Sequence, residues 1–355
     1  MKEKISKNQV LDALSNIDIP DSGKNIVRDG MVSTVMIKND NEIGFAIEID
    51  RSAMSGEQAE KLRKECEKAV SGISGVGKVT AVLTAATASL GSTELQTQQP
   101  PNPLPQVKNI IVVGSGKGGV GKSTVAANLA VSLGKMGNKV GLVDADILGP
   151  SVTKLMGIKG KPDVKNNRMI PIVAHGIKCL SIGLLIDEDA PIVWRGPMVG
   201  KALHQLLAGS DWGQLDYLVV DLPPGTGDVQ LTITKHYKVS GAIVVTTPQE
   251  VALMDVKKAI GMFGKVGVPV IGIVENMSFF EDEETGKKSF VFGKGNVERV
   301  ARKFALEIIG QIPIRQEISE YSDKGTPAIF SGNNKVMEAF GIIAEKTALF
   351  CREKK

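Results

Sequence analysis

The chain has 355 residues, 42% hydrophobic and 23% charged, which are the proportions of a folded globular protein long enough for two domains. Its net charge of +4 and pI near 8.7 come from interspersed basic and acidic side chains, whereas nucleic-acid-binding domains more often have a pI above about 9 and clustered basic residues. The start of the chain lacks the apolar run of a signal peptide, no apolar run approaches the ~20 residues that span a bilayer, and three cysteines lie too far apart for a disulfide framework. We therefore expect a cytoplasmic protein that binds neither nucleic acid nor membrane.

A small domain is predicted at the start of the chain. A polar helix carries Val10, Leu11 and Leu14, and a charged helix covers Glu57–Val70. Helices beside a short sheet are typical of an α+β domain, to which we assign residues 1–90. The strands predicted in it are Val32–Ile37, Ile43–Ile49 and Val79–Leu83.

A linker and a larger domain follow. Residues 91–107 are polar and rich in proline and glutamine, so they bury too little apolar surface to fold and are predicted to form a semi-extended linker. In residues 108–355 strands alternate with helices, which predicts an α/β fold with a doubly wound, mainly parallel sheet. We expect its last helix, Val336–Phe350, to dock on the sheet. The predicted strands are Ile110–Val113, Val140–Val143, Ile177–Ile182, Tyr217–Val220, Ala242–Thr246, Val270–Val274 and Ile308–Ile312.

A glycine-rich loop follows the first strand of this domain. Its sequence, G-K-G-G-V-G-K-S-T, fits the phosphate-binding pattern G-x-x-x-x-G-K-S, and the spacing of Val125, Leu129 and Leu133 predicts a helix after it. A flexible turn can have a similar composition, but strand, loop and helix in this order favour a site for a nucleoside triphosphate. The residues predicted to bind the nucleotide here are Gly116, Lys117, Gly118, Gly119, Val120, Gly121, Lys122, Ser123 and Thr124.

Two lysines and a serine in this loop have predicted chemical roles. Lys122 is expected to reach the β- and γ-phosphates, and the Ser123 hydroxyl to bind Mg²⁺. Lys117, one residue into the loop, points away from the phosphates of its own chain. It is either a solvated surface lysine or a cation that stabilises transition-state charge in a second subunit. We favour the second interpretation, which predicts a homodimer and makes Lys117 catalytic together with Lys122.

Carboxylates follow two further strands of the predicted sheet. Asp144 and Asp146 come after the second strand, where one is expected to support the Mg²⁺ shell and the other, Asp146, to orient the attacking water. Capping of a helix or turn is the alternative role for an aspartate here. Asp221 follows four apolar residues, the Walker B pattern, and is predicted to bind Mg²⁺. The loop Pro223–Gly227 is suited to a switch that senses the γ-phosphate.

These motifs resemble known ATPases. The loop with two lysines resembles that of the nitrogenase-reductase, septum-site and partition ATPases, which hold two nucleotides between two subunits. The whole of the second domain resembles the Mrp/ApbC iron–sulfur cluster carrier ATPases. The resemblance implies a P-loop NTPase fold, ATP and Mg²⁺ as cofactors, ATP hydrolysis, and transfer of a transiently bound iron–sulfur cluster to apoprotein clients with assembly factors as partners. It is carried by Gly116–Thr124, Asp144–Ser151, Trp194–Met198, Asp221–Asp228 and Val274–Ser278.

The resemblance also implies contacts to the base and a role for the first domain. Asn276 corresponds to the asparagine that contacts the base in related ATPases, and Pro313 lies in a segment that resembles their second purine-contacting loop. The first domain resembles the small iron–sulfur-assembly domain that often precedes this ATPase. The usual Asp-Pro-Glu of that domain is replaced by Ile19–Asp21, and no site residue is assigned there.

The cysteines depart from the family pattern. Members commonly have a Cys-x-x-Cys pair after Asn-Met-Ser, and two pairs across a dimer supply the four thiolates of a [4Fe–4S] cluster. Here Phe279–Lys288 contains no cysteine and is predicted to be a charged hairpin. Cys66, Cys179 and Cys351 are expected to have packing or incidental roles. The cluster ligands are therefore unknown and come from other residues, a small thiol or a client protein.

Two other functions compete with that of an ATP-driven cluster carrier. A spatial organiser of the septum-site or partition type would act on membrane or DNA, and the missing basic cluster and the two-domain layout count against it. A reductase that passes electrons through a cluster between subunits needs cysteines that the sequence lacks.

Overall fold

The chain divides into two compact units, Met1–Gln98 and Gln99–Lys355. A computed structural model describes residues 5–19, 25–27, 29, 31–37, 41–49, 55–85, 103–147, 149–185 and 196–354. Among these residues, no helix is both long enough and apolar enough to cross a membrane.

The described residues of the first unit form a three-stranded sheet and two helices. Strand order is β1-β2-β3, with β1 antiparallel and β3 parallel to β2. The helices begin where the sequence supplies caps: Ser6 and Ser55 each accept a hydrogen bond from the backbone of a glutamine three residues later, and the glutamine side chain bonds back. The predicted elements are therefore present. The elements are α1 (Lys7–Leu14), β1 (Val32–Ile37), β2 (Ile43–Ile49), α2 (Gly56–Ser71) and β3 (Val79–Ala85).

The second unit is built on an eight-stranded sheet in the order β15-β12-β11-β4-β10-β5-β9-β8. Every neighbouring pair is parallel except β8 and β9, which are antiparallel. Two small hairpins, β6–β7 and β13–β14, lie outside this sheet. The strands are β4 (Val107–Ser115), β5 (Val140–Asp144), β6 (Val164–Lys165), β7 (Arg168–Met169), β8 (Ile172–Ala174), β9 (Ile177–Ser181), β10 (Leu215–Asp221), β11 (Gly241–Thr246), β12 (Val270–Glu275), β13 (Phe280–Glu281), β14 (Lys288–Ser289) and β15 (Ile308–Gln311).

Helices cover both faces of this sheet. In β4, Ile111 and Val113 pack in one core with α3 and α10, while Ile110 and Val112 pack in another with α6 and α7. Burial on both faces explains why the strand reads as a continuous apolar run. The helices are α3 (Lys122–Lys135), α4 (Val152–Leu155), α5 (Gly196–Leu207), α6 (Asp228–His236), α7 (Glu250–Lys265), α8 (Asn296–Lys303), α9 (Gln316–Asp323) and α10 (Asn334–Glu353), with 3₁₀ turns at Ile182–Leu184 and Ala328–Phe330.

The predicted fold is confirmed, with three local differences. All the strands predicted for the second domain are present, and α10 docks on α3 and β15 as expected. The antiparallel edge strand β8 was not predicted. Residues 103–107 were assigned to the linker, but Leu104 is fully buried in the core of the second unit and β4 already begins at Val107. Residues 91–102 of the predicted linker lie outside the described residues.

Candidate functional site

The glycine-rich loop connects the end of β4 to the start of α3, near the middle of the sheet. Gly119 and Gly121 have φ of 80° and 83°, the left-handed region in which side chains other than glycine are strained. A Cβ on Gly121 would also lie 2.1 Å from Nδ2 of Asn276. Glycine is therefore required at Gly121 for both backbone conformation and space.

A cavity of about 520 Å³ opens beside this loop. That volume lies within the range of small-molecule sites, roughly 300–1,000 Å³. The first residues of α3 line this cavity, and no side chain caps the N-terminus of the helix. Its first amides and the positive end of its dipole are therefore suited to bind an anion. The lining residues are Ser115, Lys117, Gly118, Gly119, Gly121, Lys122, Ser123, Thr124, Asp146, Gly149, Ser151, Leu155 and Pro224.

Lys122 joins the loop to two of the predicted carboxylates. Its Nζ lies 2.6 Å from Oδ1 of Asp221 and 3.5 Å from Oδ2 of Asp146, and it donates a 3.2 Å hydrogen bond to the Ser123 hydroxyl. Lys122 is 6% exposed and Asp221 is fully buried. The structure thus brings together the four side chains to which the sequence assigns phosphate, Mg²⁺ and water chemistry.

Negative charge accumulates in this buried cluster. Burial raises the pKa of Asp221, and Lys122 and Ser123 oppose that rise. Oδ2 of Asp221 and Oδ1 of Asp146 are buried without a hydrogen-bond partner. Unpaired carboxylate oxygens are costly in a protein interior, so these two oxygens are suited to bind a cation or a polarised water.

Asp144 is buried, and both of its carboxylate oxygens accept hydrogen bonds within the protein. Its Oδ1 accepts from the amide of Asp146 at 3.1 Å, and its Oδ2 accepts from the Val152 amide at 3.1 Å and the Ser181 hydroxyl at 3.0 Å. Burial, and then the charge of Asp221, raise the pKa of Asp144 to about 7. Both oxygens of Asp144 thus hold the turn that carries Asp146, while Asp146 itself lines the cavity.

The backbone of Lys117 is held, but its side chain is exposed. Its carbonyl oxygen accepts from the Ser115 hydroxyl at 2.9 Å. In the part of the chain that the structure describes, its ammonium group has no ion pair or hydrogen bond. The side chain is therefore accessible to solvent or to a second molecule, which is compatible with both interpretations of Lys117.

The loop after β10 is held by a residue that the sequence analysis did not identify. Nε2 of Gln230, in the first turn of α6, donates to the carbonyl oxygens of Pro223 at 2.8 Å and Gly225 at 3.1 Å. The position of Gln230 in the sequence could have indicated its role. It lies beside Val229 and three residues before Ile233, which places it on the apolar face of an amphipathic helix. A polar side chain on such a face needs internal partners.

The two predicted base-contacting residues are not among the residues that line the cavity. Asn276 follows β12, and its Nδ2 donates to the Val120 carbonyl oxygen at 2.9 Å. Pro313 follows β15 and is buried between Ile312 and Ile314. Asn276 and Pro313 thus stay predicted contacts of the base. Of the Trp194–Met198 motif, Trp194 and Arg195 lie outside the described residues.

The hairpin predicted in place of the Cys-x-x-Cys pair is present. β13 and β14 pair through Phe280 with Ser289 and Glu281 with Lys288. Gly286 supplies the left-handed residue in the turn, with φ of 67°. Arg315 and Lys335 form ion pairs with Glu281 at 3.7 and 2.8 Å, so the hairpin is held against neighbouring elements.

The three cysteines are thiols rather than disulfides, and all three are buried. Burial raises the pKa of the Cys66 and Cys179 thiols to about 12, so both are protonated at neutral pH and closed to solvent. Cys351, although Arg352 and Lys354 follow it closely in the sequence, packs in the core within α10. Across the described ranges, no three side chains of His, Cys, Asp or Glu are grouped so as to hold a metal ion.

Comparison with known families identifies relatives of both units. The family model described as a NUBPL iron-transfer P-loop NTPase matches residues 106–348, and one described as an iron-sulfur cluster assembly protein matches residues 7–81. The iron-sulfur cluster carrier protein of Aquifex aeolicus is 53% identical over 256 residues, 70% of this chain and 70% of that protein. The iron-sulfur cluster transfer protein NUBPL of Mus musculus is 49% identical over 232 residues, 64% of this chain and 73% of that protein.

Solved structures with the same fold include nucleotide-binding proteins. A nucleotide-binding protein from Archaeoglobus fulgidus, in complex with ADP, is 41% identical with a TM-score of 0.59 and covers 67% of this chain and 94% of its own. The cell division ATPase MinD of Pyrococcus furiosus, 24% identical with a TM-score of 0.51 over 68% of this chain and 99% of its own, shares the fold alone. The resemblance drawn from the motifs is confirmed. This chain belongs to the NUBPL iron-transfer family of P-loop NTPases.

Proposed function

We propose that this protein binds and hydrolyses ATP and carries iron–sulfur clusters to apoprotein clients. The observation that carries the proposal is the buried contact of Lys122 with Asp221 and Asp146 at a phosphate-binding loop, in a chain whose relatives are named iron-sulfur cluster carrier or transfer proteins. These names do not favour a septum-site or partition-type organiser, for which the similarity extends to the fold only.

Magnesium fits the carboxylate side of the cavity. Mg²⁺ prefers oxygen ligands and is usually held by one or two carboxylates together with the phosphates of a nucleotide. Asp221, which has a buried unpartnered oxygen, and Ser123 beside it are the side chains that would hold the ion. Bound there, Mg²⁺ would neutralise charge on the β- and γ-phosphates. A Mg²⁺ ion that is also coordinated by phosphate oxygens can be held by one or two protein side chains, so a group of three carboxylate, cysteine or histidine ligands is not required.

The chain's own residues have distinct roles in the proposed reaction. The amides of the glycine-rich loop and Lys122 bind the phosphates. Asp146, held by Asp144, orients the attacking water with an oxygen that has no other partner. Lys117 extends from one subunit of a homodimer to the nucleotide of the other. Asn276 and Pro313 contact adenine.

The cluster is cargo, and the cysteines suggest how it is bound. All the thiols of this chain are buried, whereas cluster binding requires accessible thiolates. We infer that the thiolates come from a small thiol or from the client. Free cysteines are typical of a reducing compartment, which supports a cytoplasmic location.

Anaerobic reconstitution tests this function. The protein is incubated with iron, sulfide and glutathione, the bound iron and sulfide are counted per chain, and transfer to an apo-ferredoxin is followed with and without Mg-ATP. We expect transfer that depends on ATP, and no ATP dependence with Lys122→Ala. A protein that hydrolyses ATP but takes up no cluster contradicts the carrier role. Sedimentation with anionic liposomes and a DNA shift at moderate salt would then test the organiser.

A further inference from the structure

A run of hydrogen bonds connects the buried side chain of Gln230 to the backbone of Lys117. Gln230 is 2% exposed, and its Nε2 donates to the carbonyl oxygens of Pro223 and Gly225. The amide of Gly225 donates to the carbonyl oxygen of Ser115 at 2.8 Å. The Ser115 hydroxyl then donates to the carbonyl oxygen of Lys117 at 2.9 Å.

The side-chain NH₂ of Gln230 is fully used by these contacts. A glutamine NH₂ has two hydrogens, and both are donated to the loop after β10. Gly225 has φ of 90°, in the left-handed region that glycine adopts readily. Removal of the Gln230 donors would leave two carbonyls of this half-buried loop without their protein partners, so the loop would lose the contacts that fix its position.

The loop that Gln230 holds is part of the nucleotide cavity. It begins directly after Asp221, and Pro224 lines the cavity opposite the glycine-rich loop. A displacement of this loop would be transmitted to the glycine-rich loop through the two hydrogen bonds of Ser115.

We propose that Gln230 is a positioning residue for ATP hydrolysis, which holds the Pro223–Gly225 loop on the end of β4 and, through Ser115, sets the backbone position of Lys117. This inference rests on the proposed function, because it assumes that Lys117 acts on a nucleotide. Lys122 and the amides at the start of α3 are outside this run of hydrogen bonds, which reaches only the first part of the glycine-rich loop. Gln230 thus affects the rate of hydrolysis rather than the affinity for ATP.

The first test is Gln230→Met, which keeps the length of the side chain and removes its donors. We expect kcat to fall on the order of 10²-fold, the loss caused by a misplacement of about 1 Å, while KM and the Kd for ATP stay close to those of the parent protein. The matched control is Thr234→Val on the same helix, because Thr234 bonds only to carbonyls within α6. This control should hydrolyse ATP at the parental rate.

A double variant shows whether Gln230 acts through Lys117. If it does, Gln230→Met combined with Lys117→Ala is no slower than Lys117→Ala alone, because the two changes remove the same contribution. Losses that multiply would overturn the inference, as would a parental kcat for Gln230→Met. A parent protein without ATPase activity would instead refute the proposed function itself.

A second substitution serves if Gln230→Met does not fold. Gln230→Glu has the shape of glutamine, and its ionised carboxylate cannot donate to the two carbonyls. When the pH is lowered the carboxyl regains one donor, so kcat relative to the parent protein should rise towards acid pH. A ratio that is independent of pH contradicts a role for the donated hydrogen bonds.

Discussion

Lys122 and Asp221 form an ion pair almost entirely excluded from solvent, with 2.6 Å between Nζ and Oδ1. The two residues are 99 positions apart in the sequence. They meet because β10 pairs in parallel with β4, so that the end of one strand lies beside the loop that follows the other. Breaking a buried pair from one side leaves an uncompensated charge, which makes this contact sensitive to substitution.

We predict that Lys122→Ala abolishes ATP binding, because the ammonium group that reaches the β- and γ-phosphates is lost. The same change leaves Asp221 and Asp146 without their cation, so the stability of the protein should fall, by up to the ~3–5 kcal/mol seen when one partner of a buried pair is removed. Calorimetric titration with ATP and urea unfolding measure the two effects. Lys135→Ala, at the other end of the same helix and exposed, is the control and should bind ATP normally.

Lys117→Ala should have a different effect. The Lys117 side chain is exposed and outside the carboxylate cluster, so binding of ATP should be largely retained while hydrolysis falls, by the ~10³-fold scale of a cation supplied in trans. A nucleotide-binding titration and a steady-state phosphate-release assay separate the two quantities. Hydrolysis at the parental rate would refute the role of Lys117.

Mixed dimers distinguish action in trans from action in cis. Lys117→Ala and Asp146→Asn chains are each expected to be inactive alone. In an equal mixture about half of the dimers are mixed, and each mixed dimer has one complete site if Lys117 crosses to its partner, so the mixture should regain about a quarter of parental activity. A mixture that stays inactive contradicts action in trans.

The sequence predicted which residues belong to the candidate site, but not the hydrogen bonds between them. The glycine-rich loop has a recognisable local pattern, and Asp146 and Asp221 each follow an apolar strand, so the loop and the two aspartates could be predicted from spacing alone. The hydrogen bonds of Asp144 could not be predicted in this way. Ser181 approaches it only through the pairing of β5 with β9, and the Val152 amide only through the fold of the turn that leads into α4. The sequence therefore assigned the attacking water to Asp146, but it did not predict the contacts by which Asp144 holds the turn that carries Asp146.

The other differences between the sequence predictions and the structure also come from contacts that the local sequence pattern does not show. Strand β8 has three residues, too few for a pattern of alternation, and its pairing depends on the neighbouring β9. Leu104 was assigned to the linker because its neighbours are prolines and polar residues, yet one apolar side chain is enough to attach that segment to the core. Cys351 lies among basic residues, and only the packing of α10 shows that it is buried.

The raised pKa of Asp144 leads us to predict that part of the protein's stability decreases as the pH rises. Its pKa is raised by burial from 3.8 to about 7, so between about pH 4 and 7 the folded state binds more protons than the unfolded state. Stability contributed by this residue must then fall as the pH rises through that window, with a limiting slope of about 1.4 kcal/mol per pH unit. We expect Asp144→Asn to remove this slope, as measured by urea unfolding at pH 5, 6 and 7.

Asp216 is the matched control for this measurement. A hydrogen bond from Lys108 lowers the pKa of Asp216, so its contribution has the opposite sign: it is present above the unfolded pKa and is lost as the pH falls. Asp216→Asn should therefore leave the slope between pH 5 and 7 unchanged. A slope that persists in Asp144→Asn would show that another group binds the proton.

The last prediction concerns the thiols. Because Cys66, Cys179 and Cys351 are buried, and burial raises the pKa of Cys66 and Cys179 to about 12, none should react readily with a disulfide reagent such as DTNB in the folded protein at neutral pH. In denaturant all three should react. A rapidly reacting thiol in the folded protein would identify a candidate cluster ligand.

A cysteine-free variant extends this prediction to the cargo. Alanine replaces each cysteine, and circular dichroism together with ATP binding verifies that the variant is folded. In the presence of glutathione we expect it to take up as much iron and sulfide as the parent protein, because the proposed function has the thiolates supplied from outside the chain. Uptake by the parent protein without any added thiol, and its loss in the variant, would assign the cluster to the chain's own cysteines. The buried thiols would then have to become exposed in the dimer or on binding of nucleotide.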